Sequence, residues 1–333
     1  MKRKLFFTFT AIIVIISIIL LFAGSIRIKR DNPYYSLADL GGVYNSSFED
    51  IDFSIELTGK VLGDGKETVA GDVGITDDSD EYDGNGFIIP VLNIDGLAYS
   101  NKLMRWGISR KPDNQIPDAD PGAPELISKY NGFYLGDTSK KEIYLTFDEG
   151  YENGYTPKIL DVLKENNVKA VFFITGPYLN QHQDLVRRMV EEGHVVGNHT
   201  IHHPSLPSLP DEKVEEEILG LERAFKEKFG KSMRFIRPPM GEYSERTLAI
   251  ANKLGYETMF WSFAYDDWYR DKIRGPEYTY KLVMNNLQNG AILLLHAVSK
   301  DNADALDMII KGARERGYTF GDIEAYRATV RNN

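Results

Sequence analysis

The chain has 333 residues, of which 42% are hydrophobic and 12% aromatic, so it can bury a sizeable core and is not disordered throughout. Its net charge of −10 argues against binding nucleic acid through a basic surface. Because it contains no cysteine, a disulfide framework, a thiolate metal site and a cysteine nucleophile are all excluded.

Residues 1–30 predict a membrane anchor. Lys2, Arg3 and Lys4 precede an uncharged apolar run over residues 5–23, and further basic residues follow it. At about 1.5 Å per residue, a helix of that length crosses the hydrocarbon layer of a bilayer, and the run is long for a signal peptide. We therefore expect an uncleaved single-pass anchor in the cell membrane, with a cleaved signal peptide as the alternative. Either places the rest of the chain outside the cytoplasm.

Residues 31–100 form an acidic segment to which the sequence assigns no role. Residues 31–99 contain 15 Asp or Glu and two Lys, so the negative charge of the chain is concentrated here. The stretches 52–62 and 87–94 have the composition of strands and predict a small β unit. The acidic residues do not match the spacing of an EF-hand loop, which favours a solvated loop over a calcium site.

Beyond residue 142, short apolar runs alternate with longer amphipathic ones, as in βα units around a parallel sheet. Strands are predicted over residues 143–147, 170–175, 194–197, 234–237, 258–263, 291–296 and 318–320. Helices are predicted over residues 157–166, 178–192, 211–229, 244–254, 278–287 and 302–316. This repeat predicts an α/β fold with a (β/α) barrel, open or closed, whose site lies at the carboxyl ends of the strands.

Ionisable side chains stand at or just beyond five of the predicted strand ends. They are Asp148 and Glu149, His199 and His203, Arg237, Asp266 and Asp267, and His296. Because functional side chains of a βα barrel project from these ends into a common mouth, the distribution predicts an active site. His199 and His203 are four residues apart, so a helical turn would present both rings to one metal ion.

Five ordered motifs in this region resemble those of the polysaccharide deacetylases with a NodB-type domain. They are T-F-D-E-G at 146–150, H-T-I-H-H-P at 199–204, R-P-P-M-G at 237–241, D-D-W at 266–268 and L-L-H at 294–296. The strings W-G-I-S at 106–109 and H-A-V-S-K-D-N-A at 296–303 are similar to the delta-lactam-biosynthetic de-N-acetylases of spore-forming bacteria. The resemblance covers about residues 101–326, and it implies a distorted (β/α) barrel as the catalytic domain, over residues 101–333.

The resemblance implies four catalytic residues. Asp148 is expected to be the general base that activates a water molecule, and Arg237 to orient it. His296 is expected to be the general acid for the departing amine, with its imidazole held by Asp267. Four further residues are expected to form the substrate pocket: Trp268, Leu294, Pro239 and Tyr151.

The resemblance also implies a divalent metal ion, with zinc as the expected element, held by His199 and His203. Its Lewis acidity would polarise the acetamide carbonyl. The family usually has a second Asp as a further ligand, whereas this chain has Glu149 and the delta-lactam subgroup often has Asn. Because Glu keeps the charge and is longer by one methylene, we predict that Glu149 is a ligand, with a bystander role as the alternative.

Together these features predict a membrane-anchored, extracytoplasmic, metal-dependent de-N-acetylase of peptidoglycan. The expected substrate is N-acetylmuramic acid that lacks its peptide, as a step towards the muramic δ-lactam of the spore cortex. N-acetylglucosamine in peptidoglycan or another polysaccharide is the alternative substrate. A wall-binding protein without turnover is the alternative from another class. The expected partners are peptidoglycan strands and the membrane, without nucleic acid, and the sequence predicts no oligomeric state.

Overall fold

The computed structural model describes residues 91–94, 97–111 and 115–331. The predicted anchor at residues 5–23 and the predicted strand at residues 52–62 lie outside the described residues. None of the helices in the described part of the chain combines the length and the apolar composition that crossing a membrane requires.

Within the residues that the structure describes, short antiparallel strands and one helix precede the central sheet. They are β1 (Val91–Ile94), β2 (Leu97–Ser100), β3 (Met104–Arg105), β4 (Ile108–Ser109), β5 (Asp118–Ala119) and α1 (Ala123–Lys129). β1 pairs with β2 and lies within the stretch 87–94 for which the sequence predicts a strand. Tyr99 packs edge-on against Tyr130, with 6.1 Å between ring centroids, so β2 contacts the folded part that follows it.

Seven strands form the central sheet, and all their pairings are parallel. They are β6 (Glu142–Glu149), β7 (Ala170–Ile174), β8 (Val195–Asn198), β9 (Phe235–Ile236), β11 (Glu257–Thr258), β12 (Ala291–His296) and β13 (Thr319–Phe320), while β10 (Glu242–Tyr243) pairs with β3. The order across the sheet is β11-β9-β8-β7-β6-β12, and β13 pairs with the start of β6. The carboxyl ends of these strands therefore lie together, at the mouth of a half-barrel of parallel strands.

An irregular segment links the two sides of the half-barrel. The sequence predicts a strand over residues 258–263, but the strand ends at Thr258. Beyond Thr258 the backbone is irregular and forms hydrogen bonds with β12. The Ser262 N–H donates to the carbonyl of Ile292 at 3.0 Å, and the Leu294 N–H donates to the carbonyl of Phe263 at 2.8 Å. These bonds join the irregular segment to β12, but they do not form a continuous ladder between β11 and β12.

Helices surround the sheet. They are α2 (Thr156–Glu165), α3 (Gly176–Gln181), α4 (Gln183–Glu191), α5 (Asp211–Phe229), α6 (Glu245–Lys253), α7 (Pro276–Met284), α8 (Lys300–Glu315) and α9 (Ile323–Arg331). The sequence predicts a single helix over residues 178–192, but the structure has α3 and α4. The interruption is at His182, whose φ of −128° and ψ of 43° are not helical.

Strand β6 separates two environments. Leu145 and Phe147 pack into the large hydrophobic cluster shared with the helices, whereas Tyr144 belongs to a second cluster inside the half-barrel. Successive side chains of a strand point to opposite faces, so Asp148 faces the interior of the half-barrel and Glu149 faces the helices. The alternation thus separates the two carboxylates that end this strand.

Candidate active site

Asp148 and Arg237 form a buried ion pair at the mouth of the half-barrel. Arg237 follows β9, and its Nη1 donates to Asp148 Oδ1 at 2.7 Å and to Thr146 Oγ1 at 2.9 Å. Arg237 is 0% exposed and Asp148 is 7% exposed. Burial raises the pKa of Asp148, but Arg237, His199 and His296 outweigh it and bring that pKa below its ordinary value. The carboxylate is therefore ionised and able to accept a proton.

His296 ends β12 directly beside Asp148, since the two residues are partners in the register of β12 and β6. Its Nδ1 donates to Asp267 Oδ1 at 2.7 Å, because a carboxylate can only accept, and its backbone N–H donates to Oδ2 at 2.9 Å. Burial lowers the pKa of His296, but Asp267 and Asp148 outweigh it and raise that pKa above its ordinary value. The site therefore favours the protonated imidazole, with Nε2 as the nitrogen not bonded to Asp267.

The rings of His199 and His203 lie side by side, with 4.7 Å between their centroids. His199 Nδ1 donates to the carbonyl of Arg237 at 2.8 Å, which leaves the lone pair on Nε2, 3.5 Å from Asp148 Oδ2. Burial lowers the pKa of His199 and lowers that of His203 to about 3. Both imidazoles are therefore neutral near neutral pH, which is the form that binds a metal ion.

The backbone that brings these rings together is not the predicted helical turn. Thr200 and His203 have positive φ values of 67° and 59°, so the chain leaves β8 through two left-handed residues. Side chains stabilise this path: Asn198 Oδ1 accepts the Thr200 N–H at 2.8 Å, and Thr200 Oγ1 accepts the His203 N–H at 3.0 Å. The two rings therefore meet because of left-handed residues in this loop, and not because of a helical turn.

Glu149 lies apart from the two histidines in the structure, and its role as a metal ligand stays a prediction. Its side chain faces the helices, is 0% exposed, and has no hydrogen-bond partner on either oxygen. Burial, together with Glu152 and Asp148, raises its pKa well above the ordinary value. Among the described residues, no three His, Asp or Glu side chains are grouped closely enough to hold a metal ion. The two neighbouring neutral imidazoles are donors that fit a metal ion.

Three of the four predicted pocket residues lie near His296. The Trp268 ring meets the imidazole edge-on, with 5.7 Å between centroids, and the Tyr151 hydroxyl donates to the carbonyl of Trp268 at 3.4 Å. Leu294 precedes His296 by two residues in β12 and so shares its face of the strand. Pro239 is buried in the turn that follows β9. Beside Trp268 an open depression of about 490 Å³ is lined by Asp266, Trp268, Tyr269, Asp271 and Lys272.

Comparison with known proteins gives the family. Residues 135–259 match the polysaccharide deacetylase family. The chain is 44% identical over 228 residues to the peptidoglycan-N-acetylmuramic acid deacetylase PdaA of Bacillus subtilis, covering 68% of this chain and 87% of that protein. The chain belongs to the polysaccharide deacetylase family. The resemblance stated from the motifs is therefore confirmed, and with it the prediction of a carbohydrate de-N-acetylase.

Two further comparisons bear on this polysaccharide deacetylase, one with a solved structure and one with a relative named for another sugar. The solved structure of Bacillus subtilis PdaA, described as a family 4 carbohydrate esterase, matches with a TM-score of 0.67 and 43% identity, over 69% of this chain and 98% of that one. A peptidoglycan-N-acetylglucosamine deacetylase of Bacillus cereus is 35% identical over 232 residues, covering 68% of this chain and 82% of that protein. The family is generally metal-dependent, which agrees with the fit of the two imidazoles.

The sequence did not reveal the polar residues that hydrogen-bond the predicted catalytic residues Arg237 and Asp267. Thr146 Oγ1 accepts a hydrogen bond from Arg237. Asn302 Nδ2 donates to Asp267 Oδ2 at 2.6 Å, although Asn302 and Asp267 are 35 residues apart in the sequence. Asn302 belongs to the string at 296–303, which served only to narrow the family resemblance. That string was the available signal for Asn302, but a sequence pattern does not show which side chain the Asn302 amide contacts.

We expect Glu149→Gln to leave the affinity of this deacetylase for Zn²⁺ nearly unchanged. The Glu149 carboxyl is buried on the face of β6 that packs against the helices, away from the two histidines, and an amide of the same shape keeps that placement. Calorimetric titration of the full chain with Zn²⁺ measures the affinity, with Glu149→Asp as the control that restores the common family residue. A loss of about tenfold or more in Glu149→Gln would show that this side chain binds the ion after all.

Proposed function

We propose that this protein hydrolyses the acetamide group of N-acetylmuramic acid residues in peptidoglycan that lack their peptide. The observation that carries the proposal is the placement of Asp148 and His296 at neighbouring strand ends, with their pKa values shifted in opposite directions. Two such groups provide a proton acceptor and a proton donor at the same pH. The choice of sugar rests on the similarity to PdaA, named for its action on N-acetylmuramic acid.

In the first step, water attacks the acetamide carbon and Asp148 accepts the proton. Arg237 binds Oδ1 of this carboxylate and so leaves Oδ2 as the atom that takes the proton. The fixed carboxylate lowers the entropic cost of the step because its orientation is set before the substrate arrives. Arg237 is itself held by Thr146 and by the carbonyl of Met259, at 2.9 and 3.1 Å, so the base has a rigid support.

In the second step, the C–N bond breaks and His296 gives its Nε2 proton to the departing amine. The Asp267 carboxylate holds Nδ1–H at 2.7 Å, so the ring presents Nε2. The products are the free amine and acetic acid, which ionises to acetate. Transfer of the proton from Asp148 to His296 restores both groups. A metal ion held by His199 and His203 would polarise the acetamide carbonyl and stabilise the negative charge that develops on its oxygen.

The experiment that tests this function is product analysis after incubation of the full-length protein with peptide-free glycan strands. Release of acetate, with the loss of one acetyl group from muramic acid in the mass spectrum, is the expected result. The free amine can then attack the lactyl carboxyl of the same sugar, which forms the amide bond and releases water, so we also expect δ-lactam among the products. Glycan strands that keep their acetyl groups would leave a wall-binding role as the explanation.

Deacetylation of N-acetylglucosamine is a second candidate function. The relative of Bacillus cereus that is named for this activity is 35% identical to the chain, which favours it. The same mass analysis separates the two sugars, since only muramic acid carries the lactyl ether. Acetyl loss confined to glucosamine would select the second candidate and exclude the first.

We further propose that the protein is held in the cell membrane by residues 5–23, with the catalytic domain outside the cytoplasm. The uncharged apolar run between basic residues supports the anchor. Peptidoglycan as substrate supports a catalytic domain outside the cytoplasm. Protease treatment of intact protoplasts tests it, since an extracytoplasmic domain is degraded while a cytoplasmic marker protein survives.

We expect Asp267→Asn to lower kcat by about 10²-fold or more and to move the alkaline limb of its pH profile to lower pH. His296 must be protonated to act, so activity is lost as the pH rises through its pKa. Asp267 is the main cause that raises this pKa against the effect of burial, and a neutral amide removes that charge. The acid limb, which Asp148 sets, should stay in place. Measurement of kcat between about pH 5 and pH 10 checks both limbs, and an unmoved alkaline limb would contradict the role of Asp267.

A further inference from the structure

A chain of buried hydrogen bonds continues from His296 into the interior behind the site. Asn302 lies in the first turn of α8 and is 1% exposed. Its Nδ2 donates to Asp267 Oδ2 at 2.6 Å and to the backbone carbonyl of His296 at 3.0 Å. The Tyr265 hydroxyl donates to Asn302 Oδ1 at 2.6 Å and lies 3.0 Å from Thr279 Oγ1. The chain therefore links the Asp267–His296 pair to α7 and α8.

The partners of Asn302 fix the orientation of its amide. The two groups at Nδ2 are a carboxylate and a carbonyl, and both can only accept a hydrogen bond. The group at Oδ1 is the Tyr265 hydroxyl, and burial raises the pKa of Tyr265 above its ordinary value, so this hydroxyl keeps its proton. A rotated amide would place its oxygen against two acceptors. Asn302 is therefore a donor to Asp267.

This donor completes the hydrogen bonds that orient Asp267. Oδ2 accepts from the backbone N–H of His296 and from Asn302, while Oδ1 accepts from the imidazole at 2.7 Å. With two donors on Oδ2, the plane of the carboxylate is set and Oδ1 is aimed at Nδ1. Without Asn302, a single backbone N–H would hold Oδ2, and the carboxylate could rotate away from the imidazole.

We propose that Asn302 is a positioning residue for the proton donor, acting through Asp267 on the tautomer and orientation of His296. The inference rests on the proposed function, because that function makes His296 the general acid. It also assigns a role to Asn302 in the Asp301-Asn302 pair of the string at 296–303. The neighbouring Asp301 accepts the backbone N–H of Arg274 at 2.6 Å, so the same helix start holds the loop that carries Trp268.

A double-mutant cycle on the full-length protein tests whether Asn302 acts through Asp267. Asn302→Ala is expected to lower kcat by about tenfold or more with little change in KM, because substrate contacts are kept and proton donation is impaired. In the Asp267→Asn background, Asn302→Ala should cause no further loss. Equal losses of kcat in both backgrounds would mean independent action and would overturn the proposal.

A spectroscopic measurement tests the proposal without any turnover. The chain has six histidines, so ¹⁵N labelling of histidine and the variant His296→Gln assign the ring signals of His296. Above the pKa of His296, where its ring is neutral, the parent protein should show Nδ1 protonated, and Asn302→Ala should show a mixture with the Nε2–H tautomer. An unchanged tautomer in Asn302→Ala overturns the inference, whereas absent acetate release from the parent with a changed tautomer would count against the proposed function alone.

Control variants separate positioning from loss of folding. Asn286→Ala removes an asparagine amide that donates to the carbonyl of Leu282 at 2.8 Å, and should leave kcat and the His296 tautomer as in the parent. If thermal unfolding shows that Asn302→Ala does not fold, Tyr265→Phe decides. It removes the hydroxyl that orients the amide, and the expected result is a smaller loss of kcat with unchanged KM and the same tautomer shift. Parent-like kcat and tautomer in Tyr265→Phe would then reject the proposal.

Discussion

Asp148→Asn is expected to reduce acetate release from glycan strands by about 10²- to 10⁴-fold, the usual contribution of a general base. The substitution keeps the volume of the side chain and an oxygen that can still accept from Arg237, but a neutral amide does not take a proton from water. The loss should appear in kcat, with the binding of glycan strands retained. Acetate assays at saturating substrate, together with a glycan co-sedimentation assay, measure the two effects separately.

The same substitution should also destabilise the protein. Arg237 is 0% exposed, and its charge would lose the carboxylate that compensates it, which in a buried pair costs on the order of 3 kcal/mol. Denaturant unfolding measures this cost and identifies a temperature at which the variant is still folded. Asp161→Asn is the matched control, because it removes a carboxylate that pairs with Arg188 on the surface at 2.8 Å. Turnover of Asp148→Asn within a few-fold of the parent would reject Asp148 as the base.

The sequence was sufficient to predict the sheet and the groups that gather at its mouth. Strands β7 and β12 each contain five consecutive apolar residues, and β6 and β8 carry apolar residues before their polar ends. The polar residues that end or follow these strands are visible in the sequence. Parallel strands place their carboxyl ends at one edge, so Asp148 and His296 were expected to meet although 148 residues separate them. Here a general property of βα units converts a linear pattern into a three-dimensional site.

Features that depend on side-chain direction or on a single backbone angle could not be read from the sequence. Asp148 and Glu149 are neighbours in the chain, but the pleat of β6 directs them to opposite faces, and the sequence does not show which of the two faces the mouth. The interruption at His182 and the left-handed φ of Thr200 leave no composition signal, since neither position has glycine or proline. Asn302 reaches Asp267 only because α8 starts beside β12, which is a consequence of tertiary packing.

His199→Ala and His203→Ala are expected to lower bound metal and activity together, each by about 10-fold or more, because each removes one of the two imidazoles that face the mouth. Burial keeps both rings neutral, and His199 has its Nδ1 proton fixed on the carbonyl of Arg237, so Nε2 is available to an ion. Metal analysis of the purified full chain and acetate assays after dialysis against a chelator measure the two losses.

The neighbouring His202 provides the matched control for this last prediction. Its ring is exposed and its Nδ1 lies 2.7 Å from Glu217 Oε1, so it is held on the surface by a partner that the metal site does not share. His202→Ala should therefore retain the metal content and kcat of the parent, while the other two variants lose both. A general effect of removing an imidazole from this loop would instead lower all three variants alike. If the parent binds no stoichiometric ion and chelators leave its activity unchanged, His199 and His203 do not act through a metal, and catalysis rests on the pairs Asp148–Arg237 and Asp267–His296.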